Sequence, residues 1–390
     1  MRLLVDCTPL HSGGGVQVAV AFLEHLRHQR EVSWRAVVPD QMRAAIPGAL
    51  DQDDRMTFVR KRGLRDFAAI RAHLRKVERN TTPDVVFTVF GPPYFRASAP
   101  HVVGFAIPDL IYPPHDGMAV RMRLKLMVLD RVCRQVLRKV DHLVVETETV
   151  RERLSRRFGV NTSNISVIGN SLNPMLARRD ATPASPRGPF VLLVPSAYYP
   201  HKNLEILPPV AAALKRRDPD FEFEFRVTLD PNSRPWRAIE RSATKLGIRD
   251  RVVTLGTLPL GELANAYQTA SAVFLPTLRE ASTAVYPESF HFRRPLITSN
   301  LDFARELCGN AALLVPPFEP ETIARMILEL ARNNSLAERL VESGAQRLLT
   351  NYPPAGAKFA RQIEVLGAVS GYARHSLALR RRFDIDHAPT

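Results

Sequence analysis

Two doubly wound α/β domains in tandem, each built on a parallel sheet, is the fold class that this sequence predicts. Three observations carry that reading. Short β-rich runs alternate with longer amphipathic stretches, and this rhythm stops at a proline-rich segment and then restarts. The third is length, because 390 residues is more than one hydrophobic core normally organises.

The strand candidates of the first half are Arg2–Asp6, Trp34–Val38, Asp84–Val89, His101–Ala106, Asp141–Glu146 and Asn164–Ile168. None contains proline, and Gly104 is their only glycine. Most are continuous apolar runs, the mark of strands buried on both faces. Between them, Val16–His28, Leu64–Arg79 and Val120–Val140 space their apolar residues as helices do. Residues 178–189 then read RRDATPASPRGP, with three prolines, a glycine and no apolar stripe, which marks a linker. Beyond it the strand candidates are Phe190–Pro195, Phe223–Leu229, Arg251–Leu255, Ser271–Leu275, Pro295–Ser299 and Ala311–Val315. Helices are expected over Asn203–Arg217, Trp236–Leu246, Leu260–Thr269, Pro287–Phe292, Pro320–Asn333 and Leu336–Leu349. The expected organisation is therefore an N-terminal domain over 1–177, the linker, and a C-terminal domain over 190–366, with a cleft between the domains. Residues 367–390 form a basic helix or tail with Arg374, Arg380, Arg381 and Arg382.

Apolar residues make up 45% of the chain and charged residues 24%, which excludes a disordered protein. No run of about 18 apolar residues is present to span a bilayer. The opening Met1-Arg2-Leu3-Leu4-Val5-Asp6 reaches charge too early for a secretory signal. Cys7, Cys133 and Cys308 are scattered without metal-type spacing, so a reduced, cytoplasmic protein is expected and a disulfide scaffold is excluded. The net charge is +15, of which +11 falls in residues 1–200 and +4 in residues 201–390. Such a field attracts phosphates, on an anionic membrane face or a pyrophosphate ligand, or simply keeps the protein in solution. Nucleic acid is not expected, because no basic helix with stacking aromatics, zinc-finger spacing or RNA-binding signature is present.

Four groups of residues could carry chemistry. Gly13-Gly14-Gly15 follows the first strand and opens the first helix, where glycines let a ligand approach the backbone and the helix N-terminus offers free N–H groups. A tight βα turn would use glycine there as well. The run is neither a dinucleotide fingerprint, since Val18 holds the third glycine position, nor a Walker loop. Lys202 lies beyond the carboxyl end of the strand Phe190–Pro195, a place suited to neutralising a phosphate, although a solvated lysine would read the same way. Glu280 lies in the loop after the strand Ser271–Leu275. Pro287 suits the first position of the next helix, which puts Glu288 in its first turn. Both carboxylates and the loop amides of 281–285 thus gather at one mouth of the sheet, whereas Glu321 and Glu329, equally spaced, share one amphipathic helix. Asp51-x-Asp53 reads as a solvated, strand-poor acidic loop rather than a metal motif, so no metal is expected.

The run from Pro276 to Ile327, PTLREASTAVYPESFHFRRPLITSNLDFARELCGNAALLVPPFEPETIARMI, resembles the donor-binding region of GT-B glycosyltransferases, specifically the retaining family 4, glycosyl transferases group 1. Phe190–Leu207 resembles that family's second-domain opening with its Lys-Asn segment. Arg251–Ala272 matches it through Val252, Leu255, Gly256, Leu263, Tyr267 and Ala270. The first half is similar through Gly13–Gly15, Pro108-Asp109-Leu110 and Ile168-Gly169-Asn170.

The resemblance implies a GT-B fold of two Rossmann-like domains facing a cleft, and a metal-independent transferase without a cofactor. It would move a hexose or deoxyhexose from a nucleotide-sugar to the hydroxyl of a saccharide or lipid-linked saccharide, with anomeric configuration retained. Position by position, Glu288 would hold ribose hydroxyls, Glu280 would contact the sugar near the reacting carbon, and Lys202 would lie on the diphosphate. The amides of Thr283, Ala284 and Val285 would face sugar and phosphate, Gly14 and Gly15 would close over them, and Gly256–Leu258 would flank the base, with Leu258 in contact. Asp109 joins Glu280 and Lys202 as a catalytic position. Three departures from the family pattern stand out. Ser196 and Ala197 occupy the stretch where an arginine often precedes the phosphate lysine, Pro108 stands where histidine often precedes Asp109, and Ala281 and Thr283 replace glycines. Ser196 is kept as a donor-site position, and Arg279 or His201 could supply the missing donor. The alternatives are a weakened sugar-nucleotide-binding scaffold and a GT-B epimerase or hydrolase. A place at the inner face of an anionic membrane is the expected peripheral setting.

Overall fold

The computed structural model describes residues 1–10, 13–63, 65–112, 120–179, 181 and 188–371. They divide into two compact units, the first formed by Met1–Asn170 with the chain from Pro354, the second by Ser171–Pro353.

The strands of the first unit are β1 (Arg2–Asp6), β2 (Ser33–Pro39), β3 (Met56–Val59), β4 (Val85–Thr88), β5 (His101–Gly104), β6 (His142–Val145) and β7 (Ile165–Val167). They pair in parallel throughout, in the order β3-β2-β1-β4-β5-β6-β7. The order reverses between β1 and β4, the switch point at which doubly wound sheets open a crevice beyond their carboxyl ends. Six of these strands follow the apolar runs. The seventh, β3, lies at an edge and is mostly half-buried, and the charged flanks Asp53, Asp54, Arg55 and Arg60 conceal it in the sequence.

The second unit repeats the plan with β8 (Phe190–Val194), β9 (Phe223–Val227), β10 (Val252–Thr254), β11 (Ala272–Leu275), β12 (Leu296–Ser299) and β13 (Ala312–Val315). The order is β10-β9-β8-β11-β12-β13, again all parallel. Every residue of β11 and β12 is buried, which explains their unbroken apolar sequences. Helices cover the sheet, as Leu207–Arg217 shows by burying Leu207, Val210, Ala211 and Leu214 in the core with Phe225 and Phe274.

The unit boundaries differ from the expected domain limits. The helix Ala355–Val369, most of which falls within the limits expected for the second domain, buries Phe359, Ile363 and Leu366 in the core of the first, with the Phe359 ring 5.3 Å from that of Phe22. Its Lys358 Nζ pairs with Glu146 Oε1 at 2.6 Å and donates to Asn170 Oδ1 at 3.1 Å, and all three side chains are buried or nearly so. Conversely, the short helix Pro174–Ala177, assigned by sequence to the first domain, packs on Leu260–Thr269 in the second through the buried Leu176. Most of the expected linker, residues 180 and 182–187, and the C-terminal arginines 374 and 380–382 lie outside the described residues.

Two local expectations are corrected as well. The helix expected from Asn203 begins at Leu207, because Asn203 takes a left-handed φ of 55° and separates two 3-10 turns, Pro200–Lys202 and Leu204–Ile206. Asp51 and Asp53 are ion-paired rather than solvated, Asp51 to Arg43 of the 3-10 turn Asp40–Ala45 at 2.8 Å and Asp53 to Arg55, two residues on, at 2.6 Å.

Gly104 ends β5 where the backbone of the neighbouring strand passes closest. A Cβ there would lie 1.8 Å from the carbonyl oxygen of Val89, which a backbone atom cannot relieve by a rotamer change. Gly104→Ala should therefore cost about 3 kcal/mol or more. Urea unfolding measures it, and an unchanged midpoint would contradict the close approach.

Candidate functional site

In the second unit the switch point lies between β8 and β11, which pair through Leu192 with Ala272 and Leu193 with Val273. The two loops that leave these strands are laced together. The carbonyl of His201 accepts from the Leu278 amide at 2.7 Å and from the Thr277 hydroxyl at 3.2 Å, and Thr277 is fully buried. Lys202 N closes its own turn on Tyr199 O at 2.8 Å, and Asn203 Nδ2 donates to Pro317 O at 2.9 Å, fixing the turn on its far side.

This lacing brings two of the sequence-predicted residues into contact. Lys202 Nζ donates to Glu280 Oε1 at 2.6 Å, with side-chain exposures of only 13% and 5%. A desolvated pair of this kind is worth little as net stability but costs several kcal/mol when one partner is removed. Arg279 beside it is buried, which makes it part of the interior rather than a surface cation. His201 is buried too, its ring stacked on Tyr199 at 5.5 Å.

Glu288 lies on the seven-residue helix Val285–His291. Pro287 is the third helical residue, not the first, still within the turn where a missing N–H leaves no bond unmade. The Glu288 amide makes the helix's bond to Ala284 O at 3.1 Å. Its carboxylate is buried and accepts from the Tyr267 hydroxyl at 2.7 Å, while the Tyr267 ring stacks on Phe292 at 5.1 Å. Burial pushes the Glu288 carboxyl up to about 7, against the opposing pull of the Tyr267 bond. Burial, with Glu288 beside it, pushes the Tyr267 phenol well above its usual range. Tyr267 stood in the sequence as one residue of a matched stretch, and only the structure shows what it holds.

The remaining donor-site residues lie in the loops after β11, β10 and β8. Thr283 is buried, with its hydroxyl accepting from the Val285 amide at 3.3 Å, and Ala284 is half-buried. Leu258 is half-buried in the loop after the edge strand β10, beyond Gly256, whose φ of 75° only glycine adopts easily. The Ser196 hydroxyl donates to Ala197 O at 2.8 Å, and its amide donates to Thr228 Oγ1 at 3.0 Å. It thus replaces no cation.

In the first unit the three glycines have different reasons. Gly13 has φ 75°, a Cβ on Gly15 would press on Leu10 at 3.1 Å, and a Cβ on Gly14 would meet nothing within 4 Å. The loop before them is held by a residue that the sequence did not single out. Lys61 Nζ donates to the carbonyls of Thr8 at 2.7 Å and Pro9 at 2.9 Å, and its burial lowers it to about 8. Beneath that loop the buried Asp6 accepts from the Thr8 amide and hydroxyl and from Thr88 Oγ1. Asp109 lies half-buried in the short helix Pro108–Ile111 that follows β5.

With this geometry in view, comparison with known proteins decides the family. The sequence profile described as Glycosyltransferase Family 4 matches residues 12–175, and the one described as Glycosyl transferases group 1 matches residues 178–347. The chain belongs to the group 1 glycosyltransferases of GT-B fold. Among its relatives, the alpha-D-kanosaminyltransferase of Streptomyces kanamyceticus is 28% identical over 40% of each chain. An O-antigen chain mannosyltransferase of Salmonella typhimurium is 23% identical over 46% of this chain and 48% of its own. The chain thus spans less than half the length of these relatives. Among solved structures, sucrose-phosphate synthase from Thermosynechococcus elongatus superposes with a TM-score of 0.72 at 16% identity, covering 95% of this chain and 100% of that one. Anabaena HepE in complex with UDP and glucose gives 0.67 at 15% identity, covering 94% and 100%. Both likenesses are of fold.

The Glu288 carboxyl makes folding pH-dependent in a definite direction. The unfolded chain releases this proton near 4.5 and the folded chain near 7, so the unfolded state binds fewer protons across that window and stability falls as pH rises through it. The full difference is about 3 kcal/mol. Glu288→Gln, which keeps an oxygen for Tyr267, should flatten this part of the stability–pH curve. Equal slopes for the two proteins would show that Glu288 is not the titrating group.

Proposed function

We propose that this glycosyltransferase moves a hexose or deoxyhexose from a nucleotide-diphosphate sugar to an acceptor hydroxyl, keeping the anomeric configuration and needing no metal. The observation that carries the reading is the buried Lys202–Glu280 pair at the β8/β11 switch point, with Glu288 on the helix that follows. The names of the relatives, a kanosaminyl- and a mannosyltransferase, agree with a hexose-type sugar, and the HepE complex with UDP and glucose agrees with a nucleotide donor.

In the proposed reaction the bond between the anomeric carbon and the diphosphate oxygen breaks, and the acceptor oxygen bonds to that carbon. The acceptor proton goes to the departing diphosphate. Retention requires the acceptor oxygen to approach from the face that the diphosphate leaves. Negative charge grows on the diphosphate, so a cation held in a water-poor place is the main requirement. Lys202 supplies it, and Glu280 fixes the ammonium and faces the sugar. Glu288 accepts from the ribose hydroxyls, with the amides of Thr283, Ala284 and Val285 as further donors. Leu258 flanks the base, and Arg279 and Ser196 shape the wall behind the phosphate. In the first unit, the uncrowded Gly14 beside Gly15 presents backbone to a ligand, and Asp109 acts on the acceptor side, a saccharide or lipid-linked saccharide.

Isothermal titration with UDP, GDP, dTDP and their sugars tests the donor assignment. Micromolar binding to one nucleotide is expected, and Lys202→Met should weaken it by about 2–5 kcal/mol. Glu280→Gln should bind the free diphosphate at least as tightly as the native protein, since a carboxylate leaves its neighbourhood, yet lose transfer. If Glu280→Gln and Lys202→Met, both folded, transfer sugar at the native rate, the assignment is wrong. Anomeric coupling in the product distinguishes retention from inversion.

Donor affinity should also depend on pH. A ribose hydroxyl donates best to the ionised carboxylate, and that form has to be made below the Glu288 value of about 7. Affinity should therefore fall by up to about tenfold per pH unit below 7 and level off above it. Glu288→Gln should remove the dependence, and a native profile flat from pH 5.5 to 8 would separate Glu288 from the ribose.

A further inference from the structure

Six of the twelve large apolar side chains exposed among the described residues lie on one helix, Val120–Leu137. Val120, Leu124, Met127 and Val128 are 73%, 58%, 67% and 66% exposed. Their spacing of four, seven and eight residues places them within an arc of about 100° on one side of the helix. The opposite side holds Cys133 and Leu137, both fully buried. The second half of the helix and the residue just past its end are tied to the neighbouring helix Glu148–Phe158, with Arg134 Nη1 on Arg157 O at 2.8 Å and Arg138 Nε on Phe158 O at 2.6 Å. The helix is therefore docked through its second half, while in its first half Met122, on the side of Cys133, is 37% exposed as well; the apolar arc has its own composition to explain.

That composition is apolar at the centre and basic at both borders. Arg123 and Lys125 flank the arc on opposite sides, and Arg131 continues it by one turn, all three exposed. The helix has a single acidic residue, Asp130, and it is ion-paired with Arg134 at 3.2 Å and Arg157 at 3.0 Å. No free negative charge on the helix offsets the basic borders. The helix Asp66–Thr81 of the same unit presents Arg71, Arg75, Lys76 and Arg79 outward, but none of its large apolar side chains is exposed. Basic charge thus occurs on both helices and the apolar centre on one.

We propose that the outward face of the helix Val120–Leu137 docks this protein on an anionic lipid bilayer. The helix lies in the plane of the interface, with Val120, Leu124, Met127 and Val128 among the acyl chains. Arg123, Lys125 and Arg131 reach out to the headgroup phosphates, their aliphatic stems lying along the apolar strip. The charge of +11 in residues 1–200 adds attraction at longer range. A second copy of the chain is a poorer occupant, because a two-fold interface would set the same basic borders against themselves. A protein partner is disfavoured by the lack of any aromatic anchor on the face, where protein hot spots concentrate Trp and Tyr. No helix among the described residues is long and apolar enough to cross a membrane, so the contact is one of surface docking. It does not depend on the identity of the donor sugar.

Co-sedimentation of the full chain with vesicles of equal parts phosphatidylcholine and phosphatidylglycerol, against pure phosphatidylcholine, tests the proposal. Binding is expected only to the anionic vesicles and should weaken with added salt. Arg123→Gln and Lys125→Gln should each weaken it about fivefold. Leu124→Glu with Val128→Glu should weaken it by about tenfold or more while leaving nucleotide binding and the thermal midpoint unchanged. Val128→Trp gives a second readout. Trp34 and Trp236 are buried, so a blue shift on adding anionic vesicles reports entry of position 128 into the bilayer. No binding to anionic vesicles overturns the proposal. So does binding that survives the double substitution, or a Val128→Trp emission that does not move. A native dimer that the double substitution dissociates, with vesicle binding intact, would assign the face to a second copy instead.

Discussion

In a parallel sheet every strand delivers its chain to the same edge, and within each unit the loops that leave the strands have to be built side by side. This constraint places the loops after β8 and β11 in contact, although their residues are almost eighty positions apart in sequence. The carbonyl of His201 then binds one loop to the other, and Lys202 and Glu280 meet as a consequence. The same constraint gathers the first unit's loops after β1, where Lys61 and Asp6 hold the chain that leads into the glycines.

Buried charge is concentrated at these edges. Lys202 with Glu280, Lys358 with Glu146 and Asn170, and Asp6 among hydroxyls each lie at or beyond the carboxyl end of a strand or reach back to one. Each would cost several kcal/mol if left alone, so their partners are fixed tightly. The pairs differ in what surrounds them. Lys358 serves to fasten a helix, whereas Lys202 ends a 3-10 turn that follows β8, among the loops laced together at the switch point.

Most of the sheet architecture was legible because strands buried on both faces are written as unbroken apolar runs, as in Ala272–Leu275 and Leu296–Ser299. The edge strand Met56–Val59 was not, since it is mostly half-buried and closed in by charges. Glu280 and Lys202 were legible from their places after strands, which topology determines. The bond of Tyr267 to Glu288 and the burial of Arg279 were not, because they depend on packing between elements distant in sequence. Nor could the apolar periodicity of Val120–Leu137 say which of its residues are covered. A period marks a face, and only the neighbouring helix shows which face it takes.

The helix Ala355–Val369 completes a core that begins at the first strand, so the second unit is an insertion within the first. During synthesis the ribosome releases residues 1–170 long before Phe359, Ile363 and Leu366 exist to cover them. The second unit, contiguous from Ser171 to Pro353, has all its strands while the first still exposes the ground on which its last helix will lie. The order of completion is therefore the reverse of the order of translation. For about half the length of the chain, the nascent N-terminal sheet leaves Phe22 and its neighbours without the cover that Phe359, Ile363 and Leu366 supply.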